Sequence, residues 1–208
     1  MKSFFSGIAD SVTSAVTSMK FGKSLASEFQ NLPGHFYELS ALPLTESQNS
    51  PILMSDFKGK VVLVVNIASL CGYTAGNNKF LSALAQKYST RKDFVILAFP
   101  CSQFGGQEYS DTKKICDSHL DGLKDCKECI GKNLILMQKV DVNGETAHPV
   151  FKYLRLNSSL FDEKNGKVSS IPWNYCKFLI DTEGSVKQFF KSGDYKEVES
   201  AISQLLPA

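Results

Sequence analysis

The sequence predicts an α/β protein with a mixed central sheet and helices on both of its faces. Three observations predict it. Residues 60–66 and 94–99 are continuous β-branched and aromatic runs, suited to strands buried on both faces. Apolar residues at helical spacing separate the two runs, which implies a parallel crossover. Farther on, residues 176–180 and 186–190 flank Asp181-Thr-Glu-Gly-Ser185, the signal of an antiparallel hairpin.

Each element follows in order. Phe80, Leu81, Leu84, Ala85 and Tyr88 give the first helix its stripe, and that helix starts near Thr74. Pro100 stops the second strand. Asp111 caps a helix that runs into the Cys116 region. Residues 134–140 read as a strand, with a turn at Asn143-Gly144. Residues 149–156 read as a short helix. Asp194 with Glu197 forms a capping box for the last helix, striped by Val198, Ile202 and Leu205.

At 208 residues the chain suits one domain, residues 36–208, behind an extension of residues 1–35. The extension holds seven serines and no arginine, and Phe5, Ile8, Val12 and Met19 fall near helical spacing. It reads as a flexible tail or an amphipathic docking helix rather than a targeting peptide. The chain is therefore expected in the cytoplasm, or in an organelle such as the mitochondrion if residues 1–35 do target it. A hydrophobic share of 43% can fill a core. A net charge of +2 provides no basic excess for nucleic acid. No run of about 18 apolar residues suggests an integral membrane helix. The six cysteines are Cys71, Cys101, Cys116, Cys126, Cys129 and Cys176. A chain this long and core-rich needs no disulfide staples, so they read as redox or metal-binding thiols in a reducing compartment.

Cys71 is the sharpest feature. It follows the first buried strand and precedes a helix, where the positive end of the helix dipole favours a thiolate. By position alone it could equally be buried apolar filler. The surrounding residues decide. Asn66-Ile-Ala-Ser-Leu-Cys71-Gly-Tyr-Thr-Ala-Gly-Asn77 resembles the signature around the reactive residue of the glutathione peroxidase family. Leu97-Ala-Phe-Pro-Cys-Ser-Gln-Phe-Gly-Gly-Gln107-Glu108 and Trp173-Asn174-Tyr-Cys-Lys-Phe-Leu-Ile180 resemble two more of its motifs, in the same order. Residues 139–144 and His148-Pro149 match further landmarks, so the resemblance runs from Phe36 to the C-terminus. Asn78, Ser102 and Tyr109-Ser110 depart from the pattern without removing a catalytic group.

The resemblance implies a thioredoxin-like fold and a catalytic group of Cys71, Gln107, Trp173 and Asn174. The indole and amide N–H groups would stabilise first the thiolate and then the leaving oxyanion, without adding charge. The oxidised product is a sulfenic acid, which condenses with a second thiol. The family's resolving position falls here on Leu120. The resolving candidates are therefore Cys126 or Cys129, in an apparent insertion of about seven residues, with Cys116 third. Cys116-x-x-His119 followed by Cys126-x-x-Cys129 also has zinc-like pairwise spacing, but the link is short for a zinc finger and the redox reading is preferred. No metal and no cofactor are expected. Cys101 and Cys176 read as structural, and His148 as a turn residue.

Family members that use glutathione carry selenocysteine and basic residues near the site. This chain has cysteine and only Arg91 and Arg155, and lysine lacks the bidentate fork. The expected reductant is a thioredoxin-like protein, the expected substrates hydrogen peroxide and lipid hydroperoxides. The segment 157–171 looks too short for the loop of tetrameric members, so a monomer is expected. The rivals are a glutathione-dependent enzyme of the same fold and a redox relay that passes its disulfide to a client protein.

Overall fold

Residues 27–44, 50–123 and 132–206 are described by the structure, a computed structural model. The central sheet has five strands in the order β5-β4-β3-β8-β9. They are β3 (Val61–Ile67), β4 (Phe94–Pro100), β5 (Leu134–Leu136), β8 (Lys177–Ile180) and β9 (Val186–Phe190). β3, β4 and β5 run parallel, whereas β8 and β9 are antiparallel additions. Two small hairpins lie outside this sheet: β1 (Ser40–Ala41) with β2 (Ile52–Leu53), and β6 (Phe161–Asp162) with β7 (Lys167–Val168).

All of β3 and β4 is buried, as continuous β-branched runs require. Their side chains alternate between two cores. Val61, Leu63, Val65 and Ile67 face the cluster of α1 (Thr74–Lys87), α2 (Thr112–Gly122) and α4 (Tyr195–Leu205). Val62 and Val64 face α3 (Pro149–Leu156) and an N-terminal layer of Phe36, Leu39, Met54 and Phe57. α2 comes so close to α1 that a Cβ on Gly122 would collide with Asn78 Nδ2. Before the domain proper, Phe29 and Leu32 pack with Leu156.

Asp111 caps α2, accepting from Lys114 N–H at 2.8 Å, and the Gly144 and Gly184 turns adopt positive φ. Three boundaries differ from expectation. β4 runs through Pro100, because a proline in the last position forfeits little of the ladder; pairing with β3 continues as Cys101 N–H donates to Ile67 O. β5 is only three residues long. Beyond it Met137 bridges to Pro43 while its own N–H still donates to Ala98 O of β4, and Gln138 N–H turns to Leu42 O, so the N-terminal segment shares the pairing with β4 and interrupts the ladder. The capping box of α4 is absent. Asp194 instead accepts from Lys191 N–H at 2.8 Å and makes no side-chain cap.

Candidate active site

The strand-to-helix connection after β3 holds Cys71. Ala68 is fully buried, Leu70 is exposed, and Cys71 turns back inward with 8% exposure. Thr74 shapes this turn. Its hydroxyl donates to Ala68 O at 2.7 Å and accepts from Cys71 N–H at 3.2 Å. The first free amide of the helix start, Tyr73 N–H, points at Cys71 Sγ from 3.5 Å. Sulfur thus meets a partly positive backbone group, as expected of a helix N-terminus.

Two other loops come alongside. The β4–α2 loop is bent by Gly105 and Gly106, both left-handed at φ +67° and +65°, a conformation that glycine adopts freely. The bend brings Gln107 O to accept from Leu70 N–H at 3.0 Å, next to Cys71. The loop before β8 brings Asn174, fully buried, whose Nδ2 donates to Gln107 Oε1 at 2.9 Å. Gln107 Nε2 is left without a hydrogen-bond partner among the described residues. Asn66, a buried polar residue in β3, anchors the third loop: its Nδ2 donates to Trp173 O at 3.1 Å and its carbonyl accepts from Tyr175 N–H at 2.7 Å. Trp173 stands half-exposed against Phe104, ring centroids 5.9 Å apart. Between Tyr73, Pro172, Trp173, Lys191 and Gly193 lies an open groove of about 350 Å³.

Tyr175 closes the arrangement from below. It is left-handed at φ +63° and fully buried, a conformation that costs a non-glycine residue about 1 kcal/mol or more. Its hydroxyl donates to Ala68 O at 2.6 Å, fastening the Asn174 loop under the Cys71 loop.

The remaining expected residues sit elsewhere. Cys101 and Cys176 are fully buried, and burial pushes both thiols up to about 11, so they stay protonated at neutral pH. His148 caps α3 by accepting from Val150 N–H at 3.3 Å, and burial lowers its pKa. Cys116 is on α2 and partly buried, and Leu120, at the family's resolving position, is exposed. Cys126 and Cys129 lie outside the described residues. Beyond the zinc pattern, His119 has no expected role. The structure turns it inward, with Nε2 2.7 Å from Glu108 Oε2. Its signal was available: Ile115, His119 and Leu123 share one helical stripe, and a histidine on an apolar stripe needs a buried partner.

Comparison with known proteins gives the chain's family and fold. A family model described as glutathione peroxidase matches residues 36–155, more than half of the chain. The chain belongs to the glutathione peroxidase family. A glutathione peroxidase-like peroxiredoxin of Chlamydomonas reinhardtii is 41% identical over 157 residues, covering 76% of this chain and 86% of the relative. A hydroperoxy fatty acid reductase of Synechocystis is 38% identical over 159 residues, covering 76% and 89%. The crystal structure of GPX1 from T. cruzi superposes with a TM-score of 0.59 at 29% identity, covering 82% of this chain and 95% of that one. A thioredoxin-family thiol:disulfide interchange protein from Chlorobium tepidum, 14% identical, superposes at 0.55 over 84% of this chain and 97% of its own, which shows the fold alone. This glutathione peroxidase family member is thus a thioredoxin-like α/β protein and an oxidoreductase of the peroxidase class. No helix among the described residues is long and apolar enough to cross a membrane.

Proposed function

We propose that the chain is a thiol peroxidase that reduces hydrogen peroxide and lipid hydroperoxides through Cys71, with a thioredoxin-like protein as reductant. The observation that supports this reading is that Tyr73 N–H faces Cys71 Sγ, while Leu70 N–H, next to Cys71, bonds Gln107 O and the Gln107 side chain bonds Asn174. The Cys71 thiolate attacks one oxygen of the peroxide, and the O–O bond breaks. The product is Cys71 sulfenic acid, and the departing alkoxide takes a proton from water to become the alcohol. Gln107, Trp173 and Asn174 are the N–H donors for the developing negative charge. A second thiol then displaces water from the sulfenic acid, and a dithiol reductant opens the disulfide.

Leu70, Tyr73 and Trp173 are exposed around the site, and this apolar rim supports a bulky lipid substrate. Both arginines are engaged away from it. Arg91 pairs with Asp93 at 2.6 Å, while Arg155 is buried against Glu28 and Ser169 O. No guanidinium is left to clamp the carboxylates of glutathione, which supports a protein reductant. The chain acts as a monomer, in the cytoplasm unless residues 1–35 address it to an organelle.

Cys71→Ser should abolish peroxide consumption, at least 1,000-fold, with the thermal midpoint unchanged within about 2 °C; retained turnover would refute the assignment. Resolution belongs to Cys126 or Cys129, with Cys116 third. Peptide mapping after one equivalent of peroxide should find Cys71 bridged to Cys126 or Cys129. A bridge to Cys116 in the wild type would transfer the role to that thiol.

A further inference from the structure

Behind the reacting face lies a buried polar cluster that the chemistry above does not use. Glu108, whose side chain has no exposed surface, accepts three hydrogen bonds. Ser69 Oγ donates to its Oε1 at 2.6 Å, Tyr109 N–H donates to the same oxygen at 2.9 Å, and His119 Nε2 meets Oε2 at 2.7 Å. The His119 ring also lies 3.3 Å from Ser69 Oγ, and its Nδ1 is buried with no partner among the described residues. A carboxylate only accepts, so Nε2 carries the hydrogen of this pair.

The three donors come from three places: the Cys71 loop, the β4–α2 loop and α2. Ser69 is two residues before Cys71. Glu108 follows Gln107, whose carbonyl holds Leu70 N–H and whose side chain holds Asn174. A buried hydrogen-bonded polar pair contributes little net stability compared with apolar groups of the same shape, so packing alone gives no reason to place one here. It does fix geometry, because moving any member away leaves further buried polar atoms unpaired besides His119 Nδ1.

We propose that Ser69, Glu108 and His119 form the positioning network of the peroxidatic cysteine. His119 and Ser69 hold Glu108, and Glu108 holds the Cys71 loop in register with Gln107, so that the sulfur keeps its Tyr73 N–H and faces the Gln107–Asn174 pair. The role is to position, not to touch substrate, and it rests on the reading of Cys71 as nucleophile.

The test uses the full chain with His119→Phe, which fills the space but removes the donor, and His119→Gln, which restores an N–H at similar reach. Two rates are measured: single-turnover oxidation by hydrogen peroxide, followed through the emission of Trp173, the only tryptophan, and alkylation of Cys71 by iodoacetamide, read by peptide mass. His119→Phe should slow both by about tenfold or more, and His119→Gln should recover all but about twofold. Equal slowing in both variants, or unchanged rates in His119→Phe, overturns the proposal and leaves the cluster a staple for α2. Should His119→Phe lose its cooperative melt, Ser69→Ala, which removes one hydroxyl, decides: alkylation several-fold slower sustains the network and an unchanged rate overturns it. A wild-type protein that consumes no peroxide refutes the peroxidase reading, while the alkylation rates still decide the positioning role.

Discussion

Lys177 shows how much a single side chain can be asked to do. It has no exposed surface, yet its ammonium donates to Asn77 Oδ1 at 2.8 Å, Tyr175 O at 2.8 Å and Ser192 O at 3.1 Å. Ser192 in turn donates to Asn174 O at 2.6 Å, so Lys177 supports the loop that carries Trp173 and Asn174. Burial pulls its pKa down from the ordinary 10.5 to about 8. Between those two values the unfolded chain binds more protons than the folded one, so this residue makes stability rise with pH. Urea unfolding at pH 8 and pH 10 should show a gain on the order of 2 kcal/mol in the wild type relative to Lys177→Met; an identical pH slope in both would show that Lys177 titrates normally. Nothing local to the chain marks this lysine as buried. In a strand it reads as a face toward water, and only the fold closes β9 and α1 over it.

At the level of elements, local chemistry was legible where a segment satisfies its own backbone. Asp111 caps α2 as its place in the sequence implies, and Asp111→Ala should cost about 1 kcal/mol in urea unfolding, leaving the melt cooperative. A change under about 0.3 kcal/mol would mean the cap is dispensable. Asp194 has the same spelling and a different outcome, because the turn of residues 191–194 offers Lys191 N–H a closer claim on its carboxylate. The length of β5 was equally illegible, since Gln138 N–H leaves the β4 ladder for Leu42 O, supplied by a segment far away in the sequence.

Over the whole molecule, two cores share one sheet, and a third small cluster fastens the chain before it. Phe29 is buried with Leu32 and Leu156. The Arg155 guanidinium lies 5.1 Å from the Phe29 ring centroid and 3.3 Å from Glu28. Phe29→Ala should therefore destabilise the protein by about 3 kcal/mol without slowing Cys71 oxidation, because this cluster lies apart from the Cys71 loop. A fall in the oxidation rate with an unchanged midpoint would show that the N-terminal segment reaches the site.

The order of strands and helices, the two buried runs and the place of Cys71 between a strand end and a helix start were legible in the sequence alone, because each depends on residues near one another in the chain. The family resemblance added Gln107, Trp173 and Asn174 as companions. The bond between Gln107 and Asn174, the left-handed Tyr175 beneath them and the partners of His119 and Lys177 were decided by the tertiary structure. Buried polar groups must be satisfied by whatever the fold brings to them, and partners such as Asn77 for Lys177 and Ala68 for Tyr175 lie 100 and 107 residues away.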